Sequence, residues 1–198
     1  NMILSLAGNA GLSCDEIVDL FEGLFSKIPT GDVHDCELTK PAYQATTLQI
    51  DKKIEQLHIN MAFEAINALS SERYIAGVFN AAFGGSDNSL LFQNIREEQG
   101  LAYSVYSYQN NYLKSGLFHV DITVNPKQAA KVVEAVVKMM EQVRKTEFTD
   151  EVLDLYKNQI KIDLIMRSEG AKSKMSKNAK DLLYFGTLIP LEEMIQGI

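Results

Sequence analysis

Two short stretches of the chain alternate apolar and polar residues, and each alternation predicts a strand with one face turned inward. In residues 56–63, Leu57, Ile59, Met61 and Phe63 share one face, while His58, Asn60 and Ala62 share the other. In residues 116–124, Phe118, Val120, Ile122 and Val124 oppose His119, Asp121 and Thr123. Residues 102–109 read as a third strand, which the polar stretch 110–115 would join to 116–124 as a hairpin. Two more strands are expected: the short apolar run 2–7, released by the turn 8–11, and residues 45–50.

Helical spacing accounts for most of the rest. Ser13 and Glu16 have capping-box spacing and Leu12 and Ile17 the spacing of a hydrophobic staple, so a helix is expected over 14–25, with the apolar Ile17, Leu20, Phe21 and Leu24 recurring at helical spacing. Ser70 or Ser71 can cap a helix whose stripe is Tyr74, Ile75, Val78, Phe79 and Ala82. That helix runs into Gly84-Gly85-Ser86, and a short helix over 89–98 follows, ending near Gly100, a residue suited to the left-handed conformation just past a helix. Asn125, Pro126 and Gln128 start a helix to about Val143 that buries Ala129, Val132, Val133, Val136, Val137 and Met140. Further helices are expected from Thr149 to Ile165 and over 174–184.

Strands grouped among helices favour an α+β two-layer sandwich, helices on one face of a mainly antiparallel sheet. The Pro-, Gly- and Asp-containing run 29–41 is the best linker between two packed units. The abrupt apolar start, and residues 191–198 with no recognisable finishing element, suggest a fragment of a longer protein.

Composition narrows the function classes. With 198 residues, 46% of them hydrophobic, the chain can bury a sizeable core. Nineteen basic residues against 26 acidic ones, a formal charge of -7, argue against broad binding to nucleic acid or to an anionic membrane. Cys14 and Cys36 fit neither a disulfide scaffold nor a four-thiolate zinc site, which points to a reducing, cytoplasmic setting. No apolar run approaches a membrane span, and no signal-peptide pattern opens the chain.

Candidate chemistry is sparse. His34, His58 and His119 are isolated, without the close pairing that zinc sites use; linker surface for His34 and polar strand positions for the other two are the simpler readings. Gly84-Gly85-Ser86 lacks the lysine of a phosphate loop and reads as a tight passage between helices. No Gly-x-Ser-x-Gly nucleophile elbow occurs. Taken alone, Arg96 reads as a solvated helix residue and Tyr103 as a half-buried strand aromatic.

The run LLFQNIREEQGLAYSVYSY, residues 90–108, with FGGSDNS before it, resembles the second half of insulinase-type (M16) zinc peptidases, mitochondrial processing peptidase among them. NMILSLAGN with FEGLFSKIP, QLHINMAFEA, and SKMSKNAKDLLYFGTLIPLEEMI extend that resemblance, in order, over nearly the whole chain. In that family two homologous halves close like a clamshell around an unfolded peptide, and the inverted zinc motif His-x-x-Glu-His and a distal glutamate lie in the first half. Neither is present here. The resemblance therefore implies a supporting, non-zinc half of a zinc endopeptidase, with zinc held in the missing half of the same parent chain and none bound here.

It implies domain bounds as well: 1–28 as the closing strand and helix of the catalytic half, 29–44 as linker, and 45–198 as the second half, short of its last helix and strand. On that basis residues 2–7 would fill the empty sheet position. Arg96 and Tyr103 match the family's supporting pair, Arg96 offering a multi-donor fork to peptide carbonyls and Tyr103 a hydrogen bond to an oxyanion. Substrate is expected as an extended peptide added at a sheet edge, with Ala102, Ser104 and Tyr106 as binding candidates and Gly84, Gly85 and Gly100 as structural turns. Tyr106 and Tyr108 would line the cleft or pack. Homo-oligomerisation is left open, and the alternative reading is a non-proteolytic binding or scaffold subunit.

Overall fold

A computed structural model describes residues 2–29, 31 and 39–198. It divides into two compact units. The larger, residues 39–165 with 190–198, is built on a three-stranded antiparallel sheet of β1 (Leu57–Ala65), β2 (Ser104–Asn111) and β3 (Gly116–Val124), in the order β1-β3-β2. The expected hairpin is β2–β3. Register sets Met61 against Val120, Val105 against Ile122, and Asp121 between Asn60 and Tyr106.

Because side chains alternate across a strand, that register sorts the sheet into two faces. On the inner face Val120, Ile122 and Val124 are at most 1% exposed. Their partners are Phe83 at the end of α2 (Arg73–Phe83), Leu91 and Ile95 on the segment that includes the π-helix Phe92–Glu98, and Val132, Val136 and Met139 of α3 (Ala129–Val143). Each such side chain taken from water contributes about 1.5–3 kcal/mol, so this cluster dominates the unit's stability. The result is the α+β layering that the pattern predicted. A second cluster joins Val78, Ala81 and Ala82 of α2 to Tyr156 of α4 (Asp150–Glu169), whose hydroxyl donates to the Asn88 carbonyl at 3.0 Å.

Several expectations are corrected in detail. α2 has Glu72 at its N-cap without a side-chain bond, and Ser70 instead accepts the Glu72 N–H through its hydroxyl in the turn before the helix. Its buried face is Val78, Ala81, Ala82 and Phe83, while Ile75 is 71% exposed, because the helix end serves both the sheet cluster and the Tyr156 cluster. α3 buries the narrower stripe Val132, Val136 and Met139 and leaves Val137 exposed. It is entered by a turn of 3-10 helix, Pro126–Gln128, with Asn125 accepting from the Lys127 N–H.

Residues 45–50 form no strand. Leu48 and Ile50 stand in the open, and ties from this segment's neighbourhood to the sheet include the Tyr43 hydroxyl donating to the Ala62 carbonyl at 2.9 Å and the Lys40–Glu64 ion pair at 2.9 Å. Without a backbone ladder an alternating sequence is not held in the pleat. A short helix α6 (Leu191–Gln196) occupies the stretch where no element was expected.

The smaller unit comprises, among the described residues, 2–29, 31 and 166–189. Residues 2–7 are not a strand, and β1, β2 and β3 make up the whole three-stranded sheet, so no strand from 2–7 fills a place in it. Met2, Ile3, Leu4 and Leu6 are exposed, and Ser5 donates to the Met175 carbonyl at 2.8 Å. α1 (Cys14–Phe25) has the expected bounds and both capping-box bonds, Glu16 N–H to Ser13 Oγ and Ser13 N–H to a Glu16 oxygen, which hold the Glu16 carboxyl below its ordinary value. None of its residues is fully buried; Ile17, Phe21 and Phe25 are half-buried, while Leu20 and Leu24 of the apolar stripe are exposed. α5 (Ala171–Phe185) starts earlier than the pattern indicated, and its buried Asp181 pairs with Lys177 and accepts the Ile189 N–H. His34, Cys36 and most of the expected linker lie outside the described residues.

Candidate functional site

The segment 92–104 positions the two expected site residues by different means. Arg96 is carried by the π-helix, whose wider turn is marked by the Gln99 N–H donating to the Asn94 carbonyl five residues back. Its side chain is 44% exposed; the guanidinium lies 4.7 Å from the centre of the Phe92 ring and Nε is 3.8 Å from a Glu97 oxygen. Gly100 then reverses the chain at φ +59°, a left-handed value that side chains resist, as expected. Tyr103 follows, 56% exposed, and its N–H donates to the Thr123 carbonyl although Ser104 is the residue opposite Thr123. Entry to β2 is thus offset by one residue, which re-aims the tyrosine relative to the strand.

Beside Tyr103 is a hollow of about 300 Å³ walled by Gly100, Ala102, Tyr103, Asn125, Lys127 and Gln128. Of the expected residues, the hollow brings together Ala102, Tyr103 and Gly100; Arg96 does not line it. Lys127 was missed by sequence reasoning, although its place one residue after a proline at a helix start was visible. A larger groove of about 1010 Å³ runs along β1 past Leu48, Ile50, His58 and Asn60, and holds neither Arg96 nor Tyr103.

Ser104 and Tyr106 belong elsewhere, on the outer sheet face. There Tyr106 and Tyr108 stack with ring centres 6.0 Å apart, and Tyr108 stacks on His119 at 4.7 Å with rings only 8° from parallel. His119 Nδ1 is 3.1 Å from the Asn60 oxygen, and its Nε2 is 3.3 Å from the Asn110 amide nitrogen. An oxygen at one ring nitrogen and an NH₂ at the other engage both nitrogens of the ring. The Tyr108 hydroxyl is held above its ordinary value, first by burial and then by its hydrogen bond to Asp121 and that carboxylate's charge. His58 Nδ1 is 3.2 Å from the Thr123 hydroxyl. Alternation identified this polar face; it does not give the cross-strand register that assembles the network.

Gly84 serves by close approach: a methyl group there would fall 2.7 Å from both a Leu91 methyl carbon and Ser107 Oγ, and Ser107 N–H donates to the Gly84 carbonyl at 2.8 Å. At Gly85 the same methyl would meet the Asn80 amide at 2.7 Å.

For a zinc ion the described residues offer no set: no three His, Cys, Asp or Glu side chains cluster as ligands, and His58 and His119 are bonded to Thr123, Asn60 and Asn110. No helix among the described residues is long and apolar enough to cross a membrane.

A family model described as the peptidase M16 inactive domain matches residues 1–160. The chain belongs to this family. This M16 domain is 32% identical over 199 residues to a Bacillus subtilis (strain 168) protein named uncharacterized zinc protease YmxG, covering 100% of this chain and 47% of that protein. A Rickettsia bellii protein named uncharacterized zinc protease is 34% identical over 203 residues, again covering 100% of this chain and 47% of the relative. The domain therefore spans less than half the length of these relatives. Among solved structures, a peptidase M16 inactive domain from Pseudomonas fluorescens superposes with a TM-score of 0.79 at 19% identity, over 93% of this chain and 44% of that one. A Helicobacter pylori protease superposes with a TM-score of 0.73 at 18% identity, over 94% and 46%. The M16 resemblance and the α+β fold both stand on these matches.

Proposed function

We propose that this M16 domain is the non-catalytic portion of a zinc-dependent endopeptidase and supplies one wall of its peptide cleft, with Arg96 and Tyr103 as the supporting pair. Zinc belongs to the other half of the parent chain. The observation that carries the reading is Tyr103: a largely exposed tyrosine at an offset strand entry, beside a hollow that also contains Lys127. A phenol on a fixed backbone and more than half exposed can donate to the oxyanion formed when a peptide carbonyl is attacked. Arg96 is tethered by an exposed ring contact of about 0.5–1 kcal/mol and a weak surface ion pair, so substrate carbonyls can draw it off at little cost. Ala102 shares the Tyr103 hollow, and Ser104 and Tyr106, on the outer face of β2, are the further binding candidates of this reading. A cytoplasmic setting belongs to the same reading, supported by the free, exposed thiol of Cys14.

The experiment is a peptide-cleavage assay on the intact two-half protein, the 198-residue chain alone, and the intact protein carrying Arg96→Ala or Tyr103→Phe. Expected are zinc-dependent turnover by the intact protein, none by the chain alone, and large losses in both variants with melting temperatures held. Turnover by the chain alone, or full turnover in both variants, contradicts the proposal. The scaffold reading draws on one observation, the seating of Arg96 against Phe92 and Glu97 away from the Tyr103 hollow; an intact protein that binds but does not cleave would favour it.

A further inference from the structure

On the outer sheet face Asp121 stands between Asn60 on one side and Tyr106 on the other, with His119 and Thr123 two residues away on its own strand. Residues directly opposite in such a ladder hold their Cβ atoms about 5 Å apart, so the carboxylate shares its surroundings with the Tyr106 and Tyr108 rings. Burial, and after it this carboxylate, hold the Tyr108 hydroxyl above its ordinary value. Yet no ion pair among the described residues includes Asp121. The ring nitrogens of His119 are taken up by Asn60 and Asn110, Nδ1 of His58 by Thr123, and the nearby Lys40 by Glu64. A half-buried carboxylate without an ion-pair partner among the described residues thus stands beside neutral amide and phenol side chains.

The flanking rings make the vacancy specific. Tyr106 ends the Tyr106–Tyr108–His119 stack and is 48% exposed, whereas His119 at the other end is only 9% exposed and locked by two amides. The stack therefore presents a pre-ordered aromatic surface at the side of the carboxylate. We propose that Asp121, Tyr106 and Tyr108 form a binding site for a guanidinium group. A guanidinium presents its donor fork to the carboxylate and its flat face to an aromatic ring at once, whereas an ammonium satisfies the carboxylate without the stacking. Its source is either an arginine side chain in an extended polypeptide lying over the strands or a small free guanidinium compound. The inference rests on the peptide-holding reading only for its choice of carrier, since neither Arg96 nor Tyr103 belongs to the site.

The test is binding to the 198-residue chain, followed by calorimetry and by fluorescence anisotropy. Four probes are used: an extended seven-residue peptide with one central arginine, the same peptide with citrulline or lysine in its place, and N-acetyl-arginine amide. Citrulline keeps the shape and loses the charge. The arginine peptide is expected to bind at least about tenfold more tightly than the citrulline peptide, with lysine between them. Asp121→Asn should erase that preference, and Tyr106→Leu should weaken arginine binding about fivefold while leaving citrulline binding unchanged.

Binding of N-acetyl-arginine amide supports the site and assigns it to small guanidinium compounds; binding of the arginine peptide alone supports it and assigns it to a polypeptide. Equal affinity for arginine and citrulline peptides overturns the proposal, as does an arginine preference that survives Asp121→Asn or the absence of binding by every probe. Should Asp121→Asn unfold, the arginine–citrulline comparison on the unaltered chain and the exposed Tyr106→Leu substitution still decide. The peptidase reading fails separately: an intact protein that cleaves nothing would leave arginine binding by this chain untouched.

Discussion

The two faces of β3 divide the molecule's work. Inward, Val120, Ile122 and Val124 meet aliphatic and aromatic side chains from α2, α3 and the segment between them, and nothing polar is needed to hold the contact. Outward, His119, Asp121 and Thr123 of the same strand are joined across β1 and β2 by amides, hydroxyls and stacked rings. One alternating sequence thus makes a face that stabilises by burial and a face that carries a polar and aromatic network. The inner face is set by volume and burial, which many residues supply; the outer depends on particular atoms in register.

The comparison predicts unequal costs for equally small changes. The largest lies inward: Ile122→Ala should lower unfolding free energy by about 2–5 kcal/mol in a denaturant titration, because the side chain is 1% exposed and its neighbours cannot close the cavity. A loss under about 1 kcal/mol would show that the inner cluster is loosely packed. Next comes Gly84→Ala, expected to cost about 1–3 kcal/mol, since the added methyl must displace Leu91 and Ser107 at the edge of the same cluster. Thermal melts would check it.

The smallest effect belongs to the outer face and appears only in alkali. Tyr108 is held above its ordinary value, so the folded chain keeps that proton more firmly than the unfolded one. Its contribution is complete below the unfolded value of about 10 and is lost as pH rises through the higher folded value. Tyr108→Phe should therefore flatten the loss of stability with pH above about 10 relative to the unaltered chain. Parallel curves for the two proteins would remove Tyr108 from that role.

Much of the fold was legible because it depends on local chemistry. The Ser13–Glu16 capping box, the left-handed Gly100 and the alternation of 116–124 each declare themselves within a few residues. Failures fall where a distant partner decides. Residues 2–7 and 45–50 carry strand-like sequence, but a strand needs a ladder and neither segment has one here. The apolar stripe of α1 was equally clear, yet helical spacing states which residues share a face, not whether anything covers it.

The candidate site follows the same division. Tyr103 and Arg96 were singled out through a resemblance spanning the whole 90–108 run, whereas the π-helical turn that carries Arg96 is signalled by nothing in the local pattern. Asp121, Tyr108, His119 and Asn60 were visible as polar strand residues and became a network only through the register of three strands.

The central claim is that this domain contributes a transition-state hydrogen bond to chemistry performed on another half, and the Tyr103 hydroxyl is its most direct probe. Steady-state kinetics of the intact two-half protein carrying Tyr103→Phe remove that oxygen and leave the ring. A fall in kcat of about 100-fold or more, with KM and the melting temperature nearly unchanged, is the predicted result. An unchanged kcat, or a loss confined to KM, would contradict the account.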